Sequence, residues 1–322
     1  MNKPVLLITR RVPDAITARA SRDYDARLNP QDTPRSGAEL LGLAEGAAAV
    51  LCCPGDRLDA AMIKALPASV RVIGTFSVGH DHIDDVAAQA RGIAVVNTPE
   101  VLSVATAELA FLLILAAARR AGEGERLARS GRWTGWAPTQ LMGAQVSGKR
   151  LGIFGMGRIG RELARMAAAF AMQVHYRDVA RLPAELEGGA IWHDDDASFL
   201  AACDVLSLHA PGGGITRKWL NAERIAMLPH GAVVVNAARG TLVDDEALIA
   251  ALRTGQVGYA GLDVYDGEPA IHPGYRALEH VVLLPHMGSA TVETRDAMGH
   301  IVLDGIEAVL AGREPGNLVR SD

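Results

Sequence analysis

Several groups of residues in this chain have types and spacings that could do chemistry. The first is the loop Gly155-Met156-Gly157-Arg158-Ile159-Gly160. A first glycine permits a tight turn, a second lets backbone approach a pyrophosphate, and a third lets helix and strand pack closely. Ile159, Leu163, Met166 and Phe170 follow at helical spacing. The loop therefore opens a helix whose free N–H groups and positive dipole end suit phosphate. Asp178 ends the next apolar run, at the roughly 20-residue separation from which a carboxylate reaches ribose hydroxyls. An acid there favours NAD(H), because it repels a 2′-phosphate. Arg177 and Arg181 flank it and could pair with that phosphate, so NADP(H) stays possible.

Three more groups end later apolar runs: Asn236-Ala237-Ala238-Arg239-Gly240, then Asp263 with Asp266-Gly267-Glu268-Pro269, then Pro285-His286-Met287-Gly288. Arginine offers a planar fork that matches a carboxylate. Histidine can donate a proton to a carbonyl oxygen as hydride arrives at carbon. A glutamate on the far ring nitrogen would orient that histidine and stabilise its protonated form. Together these are the groups that reduction of an anionic 2-keto acid needs. Singly, each has an ordinary reading: a surface arginine, a helix-start acid, a core histidine. Their shared placement at strand ends favours the chemical one.

The elements that must position them alternate between short apolar runs and helical patterns, as βαβ units do. In the first third, Val5–Thr9, Ala49–Cys53, Val70–Phe76 and Ile93–Asn97 read as strands, with helical stretches at Leu58–Leu66 and Ile83–Ala90. A long apolar helix is expected from Val101 to Arg120. A second series of six strands follows: Arg150–Phe154, Gln173–Tyr176, Val205–Leu208, Ala232–Asn236, Tyr259–Val264 and Val281–Leu284. Most lack alternation, as strands buried on both faces do. A last helix spans Val292 to Leu310. In a doubly wound sheet, ligands bind beyond the carboxyl ends of the strands.

The chain has 322 residues, room for two domains, with 49% apolar and 21% charged residues. A net charge of −5 argues against a nucleic-acid partner. Cys52, Cys53 and Cys203 have no metal-site spacing and suggest reduced thiols in a cytoplasmic protein. Val5 to Ile8 is too short for a signal-peptide core, and Val104 to Ala118 contains Glu108 and falls short of a membrane span, so no membrane association is expected. His80 and His82 would share one face of an extended segment. No cysteine or acid cluster completes a coordination set, and no metal is expected.

The chain resembles the D-2-hydroxyacid dehydrogenase family, most closely its glyoxylate/hydroxypyruvate reductases. The resemblance is carried, in order, by Ser77-Val78-Gly79-His80-Asp81-His82-Ile83-Asp84, Asn97-Thr98-Pro99, Ala105-Thr106-Ala107-Glu108, the glycine loop, Ala238-Arg239-Gly240, Gly261-Leu262-Asp263-Val264, Glu268-Pro269 and His286-Met287-Gly288-Ser289-Ala290-Thr291. It covers most of the chain from about Arg71 onward; the first 45 or so residues carry little of it. It implies an α/β fold: a central Rossmann dinucleotide-binding domain, residues 100–287, inserted in a smaller flavodoxin-like substrate domain, residues 1–99 and 288–322. It implies that Arg239, Glu268 and His286 are catalytic, and that the Val78 and Gly79 amides with Arg239 hold the substrate carboxylate. Thr106, Gly155, Met156, Gly157, Arg158, Ile159, Gly160, Asp178, Pro211, Thr216, Ala237, Asp263, His286 and Gly288 would line the cofactor, with Asp263 at the nicotinamide carboxamide. The loop Pro211-Gly212-Gly213-Gly214-Ile215-Thr216 is more glycine-rich than the family's usual version, which leaves its cofactor contacts open. Trp136, in Trp133-Thr134-Gly135-Trp136, matches a tryptophan that reaches the neighbouring subunit's active site in a homodimer, or else packs at the interface. The same frame also serves other 2-keto acids and phosphite, and some relatives act as dinucleotide-sensing scaffolds in transcription.

Overall fold

The computed structural model describes residues 3–320. The chain divides into two compact units, one formed by residues up to Leu102 with those from Ala290 onward, the other by Ser103–Ser289.

The first unit holds a parallel sheet of β1 (Val5–Ile8), β2 (Asp25–Arg27), β3 (Ala49–Cys52), β4 (Val72–Thr75) and β5 (Ala94–Val96), in the order β2-β1-β3-β4-β5. This is the flavodoxin order. Successive strand residues face opposite sides. Leu7, Val50 and Ile73 pack with Met62 and Ile63 of the Ala60–Ala65 helix. Leu6, Leu51 and Val72 pack with Met298, Val302, Leu303 and Ile306 of the Val292–Leu310 helix. Sequence reading expected four strands here and missed β2. Its three residues, Asp25-Ala26-Arg27, form a short polar edge strand, which carries no hydrophobic signature.

The second unit holds β6 (Arg150–Phe154), β7 (Gln173–Arg177), β8 (Ile191–Trp192), β9 (Val205–Leu208), β10 (Ala232–Asn236), β11 (Val257–Leu262) and β12 (Val281–Leu283). All pair in parallel, in the order β12-β11-β10-β9-β6-β7-β8. The winding direction reverses between β6 and β9, where a doubly wound sheet opens its binding crevice. Six of the seven strands were expected; β8, two residues on the sheet edge, was not. The long apolar helix runs Ser103–Ala118. Its Ala107, Ala110, Leu113, Ile114 and Ala117 pack on Ile153, Val205, Val233 and Val235, beside Leu163 and Ala167 of the Arg158–Ala168 helix. Phe199, Leu206, Leu208, Val234, Ala260 and Leu262 fill the other face. Among the described residues, no helix is long and apolar enough to cross a membrane.

An ion pair ties the amino-terminal edge of this sheet. Arg150 Nη2 lies 2.8 Å from Asp204 Oδ1, and the Arg150 backbone and Nε donate to Asp204 Oδ2 at 3.0 and 3.1 Å. The Arg150 bonds outweigh burial and hold the Asp204 carboxyl below its ordinary value. Its stabilisation is therefore complete above the ordinary aspartate range and is lost as pH falls through the lowered value. Asp204→Asn should cost about 1 kcal/mol at neutral pH. Thermal unfolding of both proteins across pH should show the gap closing in acid; a gap that widens there would contradict this account.

Candidate active site

Strands β10, β11 and β12 end in register: Asn236 pairs with Leu262, and Leu262 with Leu283. Parallel strands put their carboxyl ends on one edge, so the segments that follow are neighbours. After β10, the Asn236 side chain closes the turn. Its Oδ1 accepts from the Ala238 amide at 3.0 Å and its Nδ2 donates to the Arg239 carbonyl at 2.8 Å. Arg239 Nη1 donates to the Ala238 carbonyl at 2.8 Å. A side chain at Gly240 would place its Cβ 1.9 Å from the Tyr265 carbonyl carbon and 2.2 Å from the Asp266 nitrogen. Only glycine lets the segment after β10 lie against the segment after β11, which is how Arg239 comes to act electrostatically on Glu268.

After β11, Asp263 is fully buried and organises the turn after β12. Its carbonyl accepts from the His286 amide at 2.9 Å. Its Oδ1 accepts from the Met287 amide at 2.7 Å and its Oδ2 from the Gly288 amide at 2.9 Å. These three bonds hold His286 in the left-handed region, at φ 56°. Burial pushes the Asp263 carboxyl up, against the pull of the two amides and His286.

His286 Nδ1 lies 2.7 Å from Glu268 Oε2. Glu268 Oε1 accepts from the Tyr265 amide at 2.9 Å, and the single hydrogen of the Tyr265 hydroxyl lies between the Leu284 and Leu262 carbonyls, at 2.8 and 3.0 Å. The loop is thus pinned to the ends of β11 and β12. Burial raises the Glu268 carboxyl, but His286, the Tyr265 amide and the Arg239 charge outweigh it and leave it below its ordinary value. Glu268 is an anion at neutral pH and needs a hydrogen on Nδ1, which leaves Nε2 for a reacting group. The His286 side chain is 44% exposed, so a small molecule can reach it.

The glycine loop lies at the end of β6. A Cβ on Gly155, at φ 96°, would meet the Ala210 nitrogen at 2.4 Å, and one on Gly160 the Gly155 carbonyl oxygen at 2.5 Å. A Cβ on Gly157 would meet nothing within 4 Å. Gly157 begins the Arg158–Ala168 helix with no side-chain cap. Two glycines are thus demanded by packing, and the third leaves room beside open helix amides, which fits a dinucleotide pyrophosphate. Met156 is buried and Ile159 packs against the same core, whereas Arg158 is exposed. Asp178 accepts from the Met156 and Val179 amides, each at 2.7 Å. Arg177 lies over the Trp192 ring, with its Nε 3.5 Å from Asp196. Arg181 makes two bonds to Glu187, at 2.8 and 3.1 Å.

Thr106, Asp263 and Gly288 meet: a Cβ on Gly288 would touch Thr106 at 3.4 Å and Asp263 Oδ2 at 3.6 Å. Ala237 is buried in the core shared with Ala107 and Val235. The Thr216 hydroxyl holds its own loop, donating toward the Pro211 and Gly213 carbonyls at 2.7 and 2.8 Å. Trp136 is 82% exposed, in a stretch that also exposes Trp133 and Met142. Val78 and Gly79 belong to the first unit, where the Asn97 amide and the Ser77 hydroxyl bond their carbonyls. His80 faces Asp85 at 3.7 Å, while His82 bonds Thr75. Among the described residues, no three His, Cys, Asp or Glu side chains form a metal-binding group. Sequence reasoning missed Asn236 and Tyr265 as organisers. An asparagine at the last strand position before a turn was the available signal for the first; nothing marked the second.

Gly240→Ala should push the Tyr265–Glu268 loop away from Arg239. The expected result is a fall in thermal stability of about 3 kcal/mol or more, as for other severe overpacking. Circular dichroism melts would check it, and a melt like the parent's would show that the two segments need no glycine between them.

The sequence model of the D-isomer specific 2-hydroxyacid dehydrogenase NAD binding domain matches residues 111–288. The chain is 42% identical over 316 residues to a glycerate dehydrogenase from Hyphomicrobium methylovorum, covering 98% of each chain. It is 38% identical over 327 residues to a glyoxylate reductase from Thermococcus litoralis, covering 99% of this chain and 98% of that one. Among solved structures, it is similar to the NADPH-dependent glyoxylate/hydroxypyruvate reductase from Sinorhizobium meliloti in complex with NADP and malonate. There the TM-score is 0.87 and identity 31%, over 99% of this chain and 97% of the other. With the glycine loop and strand-end residues in place, these likenesses establish that the chain belongs to the D-isomer specific 2-hydroxyacid dehydrogenase family.

Proposed function

We propose that this enzyme reduces small 2-keto acids, glyoxylate and hydroxypyruvate foremost, to 2-hydroxy acids with NAD(P)H. The observation that carries the reading is the Glu268–His286 bond of 2.7 Å beside Arg239, on the sheet edge that also bears the glycine loop. The reduced nicotinamide supplies the hydride. Arg239 pairs with the substrate carboxylate, and the Val78 and Gly79 amides are proposed as its second anchor. His286 gives the Nε2 proton to the carbonyl oxygen as the C=O π pair moves onto that oxygen. Glu268 stays ionised and balances the charge on the ring until that transfer. Thr106, Ala237, Asp263 and Gly288 would surround the nicotinamide, and Asp263 would act chiefly by holding the His286 turn.

NADH is the proposed preferred cofactor. Asp178 would stand where a ribose 2′-hydroxyl lies, and Arg177 and Arg181 already face acids, Asp196 and Glu187. A 2′-phosphate would meet the Asp178 side chain there. The exposed stretch around Trp136 supports a homodimer in which that ring reaches the partner's site. Free Cys52, Cys53 and Cys203 fit a cytoplasmic setting.

The test is oxidation of NADH and of NADPH with glyoxylate, hydroxypyruvate, pyruvate and a bulkier 2-keto acid. Fast turnover of the first two with NADH is expected. His286→Gln should lower kcat about 10²-fold or more with NADH affinity retained, and Arg239→Ala should weaken keto-acid binding as well as turnover. No turnover with any 2-keto acid, or a His286→Gln enzyme as fast as its parent, would overturn the reading.

A further inference from the structure

The histidine-bearing segment after β4 does work that the strand-end residues do not explain. Three successive carbonyls there are tied. The Thr98 amide donates to the Ser77 carbonyl at 3.0 Å, Asn97 Nδ2 to that of Val78 at 2.8 Å, and Ser77 Oγ to that of Gly79 at 2.6 Å. These peptides are trans, and a trans peptide points its N–H opposite its C=O. Tying the three carbonyls therefore aims the amides of Val78, Gly79 and His80. Successive amides presented together make an anion-binding concavity.

Hydrogen counting then gives the network beneath a direction. A hydroxyl has one hydrogen, and that of Ser77 goes to the Gly79 carbonyl. The 2.7 Å contact between Ser77 Oγ and Thr75 Oγ1 must therefore use the Thr75 hydrogen. Thr75 Oγ1 is also 3.0 Å from His82 Nε2. With its own hydrogen committed, Thr75 can only accept, so His82 Nε2 must carry the hydrogen. Thr75 is fully buried, so solvent cannot substitute for either partner. The Cys52 thiol, 3.9 Å from Nε2, lies at the margin of this network. The His80 side chain is turned to Asp85, which leaves its backbone amide as the group in question.

We propose that Thr75, Ser77 and His82 are positioning residues. They form a directed relay, from His82 Nε2–H through Thr75 and Ser77 to the Gly79 carbonyl, which sets the His80 amide beside those of Val78 and Gly79 as a third donor to the substrate carboxylate. This rests on the carboxylate-anchoring role proposed above for Val78 and Gly79. Breaking the relay frees the Gly79 carbonyl, so the Gly79–His80 peptide can turn. The loss falls on keto-acid binding and leaves the dinucleotide loop untouched.

Thr75→Val keeps the buried shape and removes the hydroxyl. It and Ser77→Ala should each raise KM for glyoxylate about tenfold, as for one lost charge-assisted hydrogen bond, with a smaller change in kcat and an unchanged Kd for NADH. His82→Gln, which can present an amide N–H, should keep KM nearer the parent's than His82→Leu. Two-bond proton–nitrogen spectra of the parent enzyme, with His82→Gln to assign the signal, should show the Nε2–H form. An unchanged KM in both hydroxyl variants, or an Nδ1–H tautomer at His82, overturns the relay. If the variants fail to fold, the tautomer decides. A parent enzyme that reduces no 2-keto acid would strike the functional reading instead, and the tautomer would still judge the relay.

Discussion

Parallel strands that end in register put the reactive groups together. Because β10, β11 and β12 stop at paired residues, an arginine three residues past one strand, a glutamate in the loop after the next and a histidine three residues past the last share one sheet edge. The loops then need only local fixing. Asn236 closes the first turn, the Tyr265 hydroxyl anchors the second, and the Asp263 carboxylate captures the third. Each is a side chain satisfying backbone groups that a strand end leaves unpaired. A carboxylate buried as deeply as Asp263 would be costly without its two amide donors. Its burial therefore holds the left-handed His286 backbone in place.

The same economy governs the dinucleotide end of the sheet. Asp178 bonds the Met156 amide, so the residue proposed to choose between cofactors also locks the glycine loop to β7. Arg177 and Arg181 looked from sequence like equal candidates for a 2′-phosphate. The fold sets Arg177 3.5 Å from Asp196, which Arg224 also holds at 2.7 Å, and ties Arg181 to Glu187. In the first unit, a chain of hydroxyls under the loop after β4 does for carbonyls what Asp263 does for amides. In both units, side chains fix the backbone of the loops that follow the strands.

Much of this was legible in the residues because buried parallel strands are continuous apolar runs, and because the glycine loop needs its spacing for steric reasons that leave few alternatives. The strands β2 and β8 were not legible. An edge strand of two or three residues, one face in water, has no pattern to detect. Arg239, Glu268 and His286 could be placed on one edge from sequence, since topology alone brings parallel strand ends together. Their supports could not. Tyr265 and the Thr75–Ser77–His82 relay depend on how loops fold back, which neither periodicity nor spacing encodes. In the loop whose cofactor contacts the residues left open, the Thr216 hydroxyl closes its own turn.

The central claim is that Glu268 and His286 act as one unit. Turnover of glyoxylate by Glu268→Gln, His286→Gln and the double variant tests it most directly, as a double-mutant cycle. The account predicts strong non-additivity, with the double variant little slower than His286→Gln alone, because the glutamate works only through the ring it holds. Rate losses that multiply independently would contradict it.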